Sequence, residues 1–229
     1  MTILGIETAT TVCGAALSRD GVLIGEAAID ARNVHAERLL VQIDEVLRGA
    51  GCGVGDLSGI AVSSGPGSFT GLRIGMSVAK GLAYARSLPL VGVPTLEALA
   101  RNAAARAGVP AGGTILAALD ARRDEVYCQI FRAGAGGPEP EGDVADMTVS
   151  ELRRLLAGRI VLAAGDGAAK VVGPDGACEA GWKLAAGDAG ACSAAEVTLL
   201  GERMLAAGRR DDPVTLEPRY IKEFFLRTP

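Results

Sequence analysis

The chain is short of the residues that most often carry chemistry. It has one histidine, His35, in 229 residues, so a His-x-x-x-His or His-Glu-x-x-His metal site, which needs two imidazoles at helical spacing, cannot form within it. A Ser-His-Asp triad would have to be built on that single imidazole, and no G-x-S-x-G elbow accompanies it. The five cysteines, Cys13, Cys52, Cys128, Cys178 and Cys192, are scattered, odd in number and without a C-x-x-C pair, which argues against a dithiol or zinc site and leaves them as small apolar positions. No apolar run approaches the roughly 18 to 20 residues of a membrane span. The start, Met1-Thr2-Ile3-Leu4-Gly5-Ile6-Glu7, has neither a basic region nor a long apolar stretch and reads as a first strand, so a cytoplasmic protein is expected. Positive charge is lacking too: the formal net charge is −4, against a free-standing nucleic-acid binder, whose affinity comes largely from phosphate neutralisation. The doublets Arg122-Arg123, Arg153-Arg154 and Arg209-Arg210 read as solvated helix and loop surfaces.

What is present is enough for a real core, since 49% of the residues are hydrophobic and the length suits one large domain or two small ones. Residues 2–8, 12–18 and 22–29 read as strands, with Asp20-Gly21 as a hairpin turn between the last two. After Asn33 the period becomes helical, with Leu39, Leu40, Ile43, Val46 and Leu47 on one face and Gly49 and Gly51 closing the segment. A buried strand over 57–63 leads into Gly65-Pro66-Gly67-Ser68-Phe69-Thr70-Gly71, and a helix over 72–86 follows, carrying Met76, Ala79, Leu82 and Ala83. A strand over 88–93 and a helix over 95–107 precede a boundary at residues 108–113, rich in turn residues. Beyond it lie strands over 114–119 and 125–131, a loop over 134–143, a helix over 148–157, a strand over 160–164, the turn Gly165-Asp166-Gly167 and a helix over 193–207. This divides the chain into an N-terminal unit, 1–108, a reduced C-terminal unit, 109–212, and a tail, 213–229, that packs back on the first unit. Element order suggests two related halves, without a convincing sequence repeat.

The glycine-rich turn is the segment best suited to function. A strand delivering Gly65, Gly67, Ser68, Thr70 and Gly71 to a helix N-terminus offers backbone amides and hydroxyls to an anion. It lacks the Gly-Lys-Ser/Thr ending of a P-loop and the G-x-G-x-x-G order of a dinucleotide fold, and glycine used only for backbone freedom is the competing reading. Glu7 with Thr8 and Thr10 closes the first strand, and Asp120 and Asp166 each close a later one. None has a partner legible in the sequence, so no catalytic residue and no metal ligand is assigned.

Taken together, Ile3 through Thr10, His35-Ala36-Glu37-Arg38-Leu39-Leu40, Gly65 through Gly75, Gly92 through Ala100 and Leu119 through Tyr127 resemble the TsaB (YeaZ) family of tRNA threonylcarbamoyladenosine biosynthesis. Weaker matches follow at Gly165-Asp166-Gly167-Ala168 and Glu217-Pro218-Arg219-Tyr220-Ile221, where Ile221-Lys222 replaces the family's Leu-Arg. The resemblance implies an α/β fold of the actin-like, Hsp70-like ATPase (ASKHA) class, two subdomains with the second reduced. It implies a non-catalytic subunit, since the related TsaD holds a metal-binding His-x-x-x-His that one histidine cannot supply. Its role would be to bind and activate a TsaD-like subunit, with a TsaE-like ATPase, in threonylcarbamoyl transfer to N6 of adenosine 37 in tRNAs reading codons that begin with A. No cofactor is required on this reading, tRNA is met through the complex, and ATP binding by the chain stays open. The family pairs through the helices flanking the glycine turn, which points to Leu39, Ile43, Leu47, Leu72, Met76 and Ala79 as the partner face and to a homodimer when the chain is alone. The competing use of that stripe is burial against the chain's own sheet. The alternative function is a small ATP-binding kinase or ATPase of the same fold, using Glu7 and the glycine turn on phosphates. A peptidase lacks its metal pair or triad.

Overall fold

The chain reverses early and tightly. Asp20 (φ 51°) and Gly21 (φ 79°) both adopt left-handed backbone, the turn geometry that matches strand twist, and they join β2 (Val12–Arg19) to β3 (Val22–Asp30). β1 (Thr2–Glu7) pairs antiparallel with β2, so the chain opens with three antiparallel strands as expected. β4 (Gly59–Gly65) and β5 (Leu90–Pro94) then extend the sheet in parallel, in the order β3-β2-β1-β4-β5. Parallel neighbours need crossovers, supplied by α1 (His35–Gly49) and α2 (Phe69–Arg86). Leu39, Ile43, Val46 and Leu47 of α1 and Met76, Ala79 and Ala83 of α2 are buried in one cluster with Leu4, Ile6 and Leu17 of the sheet. The structure describes residues 1–173 and 179–221 of this computed structural model; Cys178 and residues 222–229 of the tail lie outside them.

The second sheet repeats the path of the first. Its members are β6 (Thr114–Asp120), β7 (Glu125–Gly134), β8 (Gly137–Pro140), β10 (Val161–Ala164) and β11 (Trp182–Leu184), in the order β11-β10-β6-β7-β8, while β9 (Ala145–Thr148) pairs with β7. In both sheets the first strand lies centrally, antiparallel to the second and parallel on its other side to a later strand, β4 in the first sheet and β10 in the second. The halves are therefore related by topology where the sequence shows no repeat. The reduction of the second half is local: α5 (Ala168–Val172) has 5 residues at the position where α2 has 18. The sequence reading took 134–143 as loop, yet part of it forms β8; an edge strand tolerates Pro138 and Pro140 because its outer N–H positions make no ladder bonds.

Helix packing crosses between the two halves of the sequence. α3 (Thr95–Ala107), counted with residues 1–108, buries Leu96, Leu99, Ala100 and Ala103 against Ile115, Ala117 and Phe131 of the second sheet. α6 (Ala194–Ala206), counted with 109–212, instead buries Val197, Leu200 and Leu205 against Ile3, Ala61, Val91 and Val93 of the first. Each half thus closes its core with a helix from the other end of the sequence. Close contact is achieved by deleting side chains: a Cβ on Gly201 would lie 2.2 Å from the Ala61 Cβ, and one on Gly5 2.0 Å from Thr198 Oγ1. Buried Glu202 of α6 accepts from the Ser18 hydroxyl and, at 2.9 Å, from the Gly21 N–H, tying the helix to the first hairpin.

The chain after α6 runs back across the first half. Asp211 N–H donates to the Leu90 carbonyl at 2.8 Å, the Asp211 carboxylate accepts from Gly92 N–H at 2.8 Å, and Arg219 N–H donates to the Ser64 carbonyl at 2.7 Å. This strap delivers Arg219 and Tyr220 to the glycine-rich turn. Two substitutions separate packing glycines from free ones. Gly201→Val drives a branched side chain into Ala61 and is expected to cost about 1–3 kcal/mol. Gly81→Ala, at an exposed position inside α2 with open space around it, is expected to gain about 0.5–1 kcal/mol. Urea denaturation of both variants against the parent checks them.

Candidate functional site

The carboxyl ends of the central strands of both sheets open into one cleft of about 1140 Å³, lined by Ala9–Thr11, Arg32, His35, the turn from Pro66 to Gly71, Asp120–Arg123, Asp166 and the strap residues Arg219–Ile221. In open parallel arrangements ligands sit at such strand ends.

The glycine-rich turn forms one wall, and its glycines have a specific cause. A Cβ on Gly67 would lie 2.4 Å from the Ala9 carbonyl oxygen, one on Gly71 2.1 Å from that of Thr8, and one on Gly75 2.2 Å from Thr8 Oγ1. The turn therefore lies directly on the end of β1 and the bend after it. Its hydrogen bonds are spent the same way: Gly65 N–H donates to Thr95 Oγ1 at 3.0 Å, Ser68 N–H to the Ala9 carbonyl at 2.6 Å, and Gly71 N–H to Ser68 Oγ at 3.2 Å. That last bond caps α2, which begins at Phe69, three residues before the expected Leu72. Those three amides are committed to the chain itself. Of the five residues singled out there, Gly67, Ser68, Thr70 and Gly71 line the cleft, whereas Gly65 is covered by the Arg219 backbone.

The same device recurs in the second half. Gly165 (φ 104°) has no room for a Cβ, which would lie 2.0 Å from the Ala118 carbonyl, and one on Gly167 would lie 2.7 Å from the Leu119 carbonyl carbon. Asp166 between them accepts from the Asp120 N–H at 2.9 Å, and Asp120 in turn pairs with Lys170. Burial pushes the Asp166 carboxyl up. Burial also acts upward on Asp120, but the Lys170 ammonium and the Arg122 N–H outweigh it and hold its pKa below the usual range. The Asp166 carboxylate thus ties the backbone at the end of β6 to the turn before α5.

Glu7 behaves differently. It is fully buried and does not line the cleft, which corrects the notion of a carboxylate offered to a ligand. One oxygen accepts from Ala9 N–H at 2.5 Å while Oε2 has no hydrogen-bond partner among the described residues. Burial, only partly offset by hydrogen bonds from the Ala9 N–H, Ser63 and the Thr8 N–H, raises its pKa from 4.5 to about 7. Cys192 is buried close by, and burial together with the Glu7 and Asp166 charges pushes its thiol well up. His35 is buried at the cleft edge with Nε2 unbonded among the described residues, so the triad formally open in the sequence is not formed.

The residues expected as the partner face take the competing use named for them, burial against the chain's own sheet. Leu39, Ile43, Leu47, Leu72, Met76 and Ala79 are all buried in the chain's own structure, because the stripe facing the sheet is the stripe a periodicity argument finds. The outward side of α1 and α2 instead carries Leu40 (59% exposed), Val41 (46%) and Tyr84 (81%), beside half-buried Ile74 and Val78. Sequence reasoning missed one further cluster. The Arg73 guanidinium lies 3.9 Å over the Phe69 ring and donates to the Tyr220 hydroxyl at 3.0 Å, and the Phe69 and Tyr220 ring centroids are 5.1 Å apart. A phenylalanine inside the glycine turn and an Arg-Tyr pair in the tail were the available signals; only the fold brings them together.

Two lobes of the same strand path enclosing a cleft at their strand ends define a protein of the actin-like ATPase fold. Likeness of fold alone extends to the activator of the 2-hydroxyisocaproyl-CoA dehydratase from Clostridium difficile with bound ADPNP (TM-score 0.52, 10% identity, covering 93% of this chain and 99% of that one). The family described as TsaD, tRNA N6-adenosine threonylcarbamoyltransferase, matches residues 28–161. The chain is 33% identical over 226 residues to the tRNA threonylcarbamoyladenosine biosynthesis protein TsaB of Escherichia coli, covering 97% of this chain and 95% of that one. The YeaZ structure from Pseudomonas aeruginosa superposes with TM-score 0.80 at 28% identity, covering 96% and 99% of the two chains. The chain belongs to the TsaB (YeaZ) family.

The buried Glu7 carboxyl has a measurable consequence. The folded chain keeps this proton up to about pH 7 while the unfolded chain releases it near 4.5, so the folded state binds more protons in between and stability falls as pH rises through that window, levelling off above it. Relative to Glu7→Gln, which has no such proton, the parent is expected to lose about 3 kcal/mol between pH 4.5 and 7.5, read by urea denaturation across the pH range.

Proposed function

We propose that this chain is the non-catalytic subunit that a TsaD-like partner requires for threonylcarbamoyl transfer to N6 of adenosine 37 in tRNAs reading codons that begin with A, with a TsaE-like ATPase completing the set. It acts in the cytoplasm and needs no cofactor of its own. The observation that carries this reading is the outward face of α1 and α2, where Leu40, Val41 and Tyr84 stand exposed on adjacent helices. Large exposed apolar side chains are stabilised by a covering partner, and helices already packed in a pair offer ridges for a helical partner to fill. A second copy of the chain can cover the same face when no partner is present, giving a homodimer. The inward commitment of the glycine turn and of Glu7 supports an accessory role over the kinase or ATPase alternative, which would need both turned toward phosphates.

A charge at Leu39 is no test of this face, because that side chain is in the core and its replacement by Glu unfolds what it probes. Leu40→Glu is the suitable variant. It is expected to keep the parent's stability within about 0.5 kcal/mol, as an exposed substitution, and to weaken association with the TsaD-like subunit by about tenfold or more, the cost of seating an unpaired charge in an apolar contact. Binding is read by calorimetry, and function by threonylcarbamoyl transfer to tRNA reconstituted from the TsaD-like and TsaE-like subunits. Transfer that proceeds equally well without this chain sinks the reading. ATP turnover by the isolated chain, abolished by Glu7→Ala, decides for the ATPase.

A further inference from the structure

We infer that the mouth of the cleft is a direct contact site for single-stranded RNA, its arginines meeting phosphates and the Phe69–Arg73–Tyr220 cluster receiving an unstacked base; the choice of RNA rests on the pathway role proposed above. Five arginines gather there against an overall charge of −4: Arg32, Arg122, Arg123 and Arg219 line the cleft, and Arg73 stands at its rim on Phe69. All five are exposed, and none makes an ion pair within 4 Å among the described residues. Of the acids that line the cleft with them, Asp120, Glu125 and Asp166, Asp120 is matched by Lys170. Arginines arriving from both lobes follow a backbone better than they clamp one small anion.

Backbone geometry gives an independent reason to assign these side chains a task. Arg122 (φ 73°) and Arg123 (φ 50°) both sit in left-handed backbone, where a residue with a Cβ is disfavoured by roughly 1–2 kcal/mol and glycine or asparagine would sit at lower cost. Two successive arginines at such positions, with guanidinium groups free to reach the cleft, sacrifice local stability for charge at that place. Strain of this kind gathers where function holds it. The third observation is the platform. An Arg guanidinium plane laid over an aromatic ring, with a second ring held to it by a hydrogen bond, is a surface on which unpaired bases stack. The cleft, at about 1140 Å³, exceeds the usual range of small-molecule pockets.

The same strain makes the test clean. Arg122→Gly with Arg123→Asn removes both charges and relieves the turn, so thermal stability is expected to stay level or rise. Binding of the full-length chain to a fluorescent 17-nucleotide RNA stem-loop, followed by anisotropy across salt concentrations, is expected to weaken about tenfold in this double variant. The slope of log affinity against log salt is expected to flatten by about 0.7 for each arginine that meets a phosphate. Phe69→Ala is expected to weaken binding without changing the slope. Unchanged affinity in the double variant, or no binding by the parent chain, overturns the inference. Displacement of the RNA by ATP with the same dependence on Arg122 and Arg123 also overturns it and makes the cleft a nucleotide site. Reconstituted transfer run alongside keeps the two readings apart: if the parent supports transfer but does not bind the RNA, the contact site fails and the subunit role stands.

Discussion

The contact on which the rest of the molecule depends is backbone laid on backbone. Gly67, Gly71 and Gly75 come so close to Ala9 and Thr8 that a single methyl group at any of them would overlap carbonyl or hydroxyl oxygen. Because the turn rests on the end of β1, α2 must start at Phe69 and run back over the sheet, and its inner face must close the core that α1 shares. The equivalent contact of Gly165 and Gly167 with Ala118 and Leu119 sets the second lobe in the same way. The cleft is what remains between two turns pinned to two strand ends.

That arrangement also sets where the polar groups of the turn go. The amides of Gly65, Ser68 and Gly71 satisfy Thr95, Ala9 and Ser68, and buried amides must be satisfied somewhere. Glu7, which ends the first strand, is withdrawn from solvent and holds its proton far above the usual range for a carboxylate. Polar character therefore moves outward to the rim, onto arginines from the hairpin and the strap, and apolar character onto the outer face of α1 and α2. Both are surfaces suited to macromolecules.

The legible parts of the fold were those governed by local rules. Asp20-Gly21 marked its hairpin because few residues accept left-handed backbone, and Leu39, Ile43 and Leu47 marked α1 because a buried stripe repeats with the helical period. The same stripe misled about function: periodicity finds the face that is buried, and it cannot tell a core from an interface. Leu40 and Val41, which do face outward, fall outside that stripe and carry no periodic signal. The start of α2 was misplaced because glycine reads locally as a helix breaker, whereas Gly71 and Gly75 are required inside this helix by a neighbour more than 60 residues away in sequence.

By itself the sequence determined the opening hairpin, the glycine turn and the impossibility of a two-histidine metal site, since each follows from residue identity over short spacings or from a count. Only the tertiary structure decided that α3 and α6 exchange halves, that Glu7 is hidden while Asp120 and Asp166 are joined, and that Phe69, Arg73 and Tyr220 form one cluster. Those outcomes depend on pairings across the length of the chain. Such pairings are selected by how faces fit in three dimensions, a property no local window of residues contains.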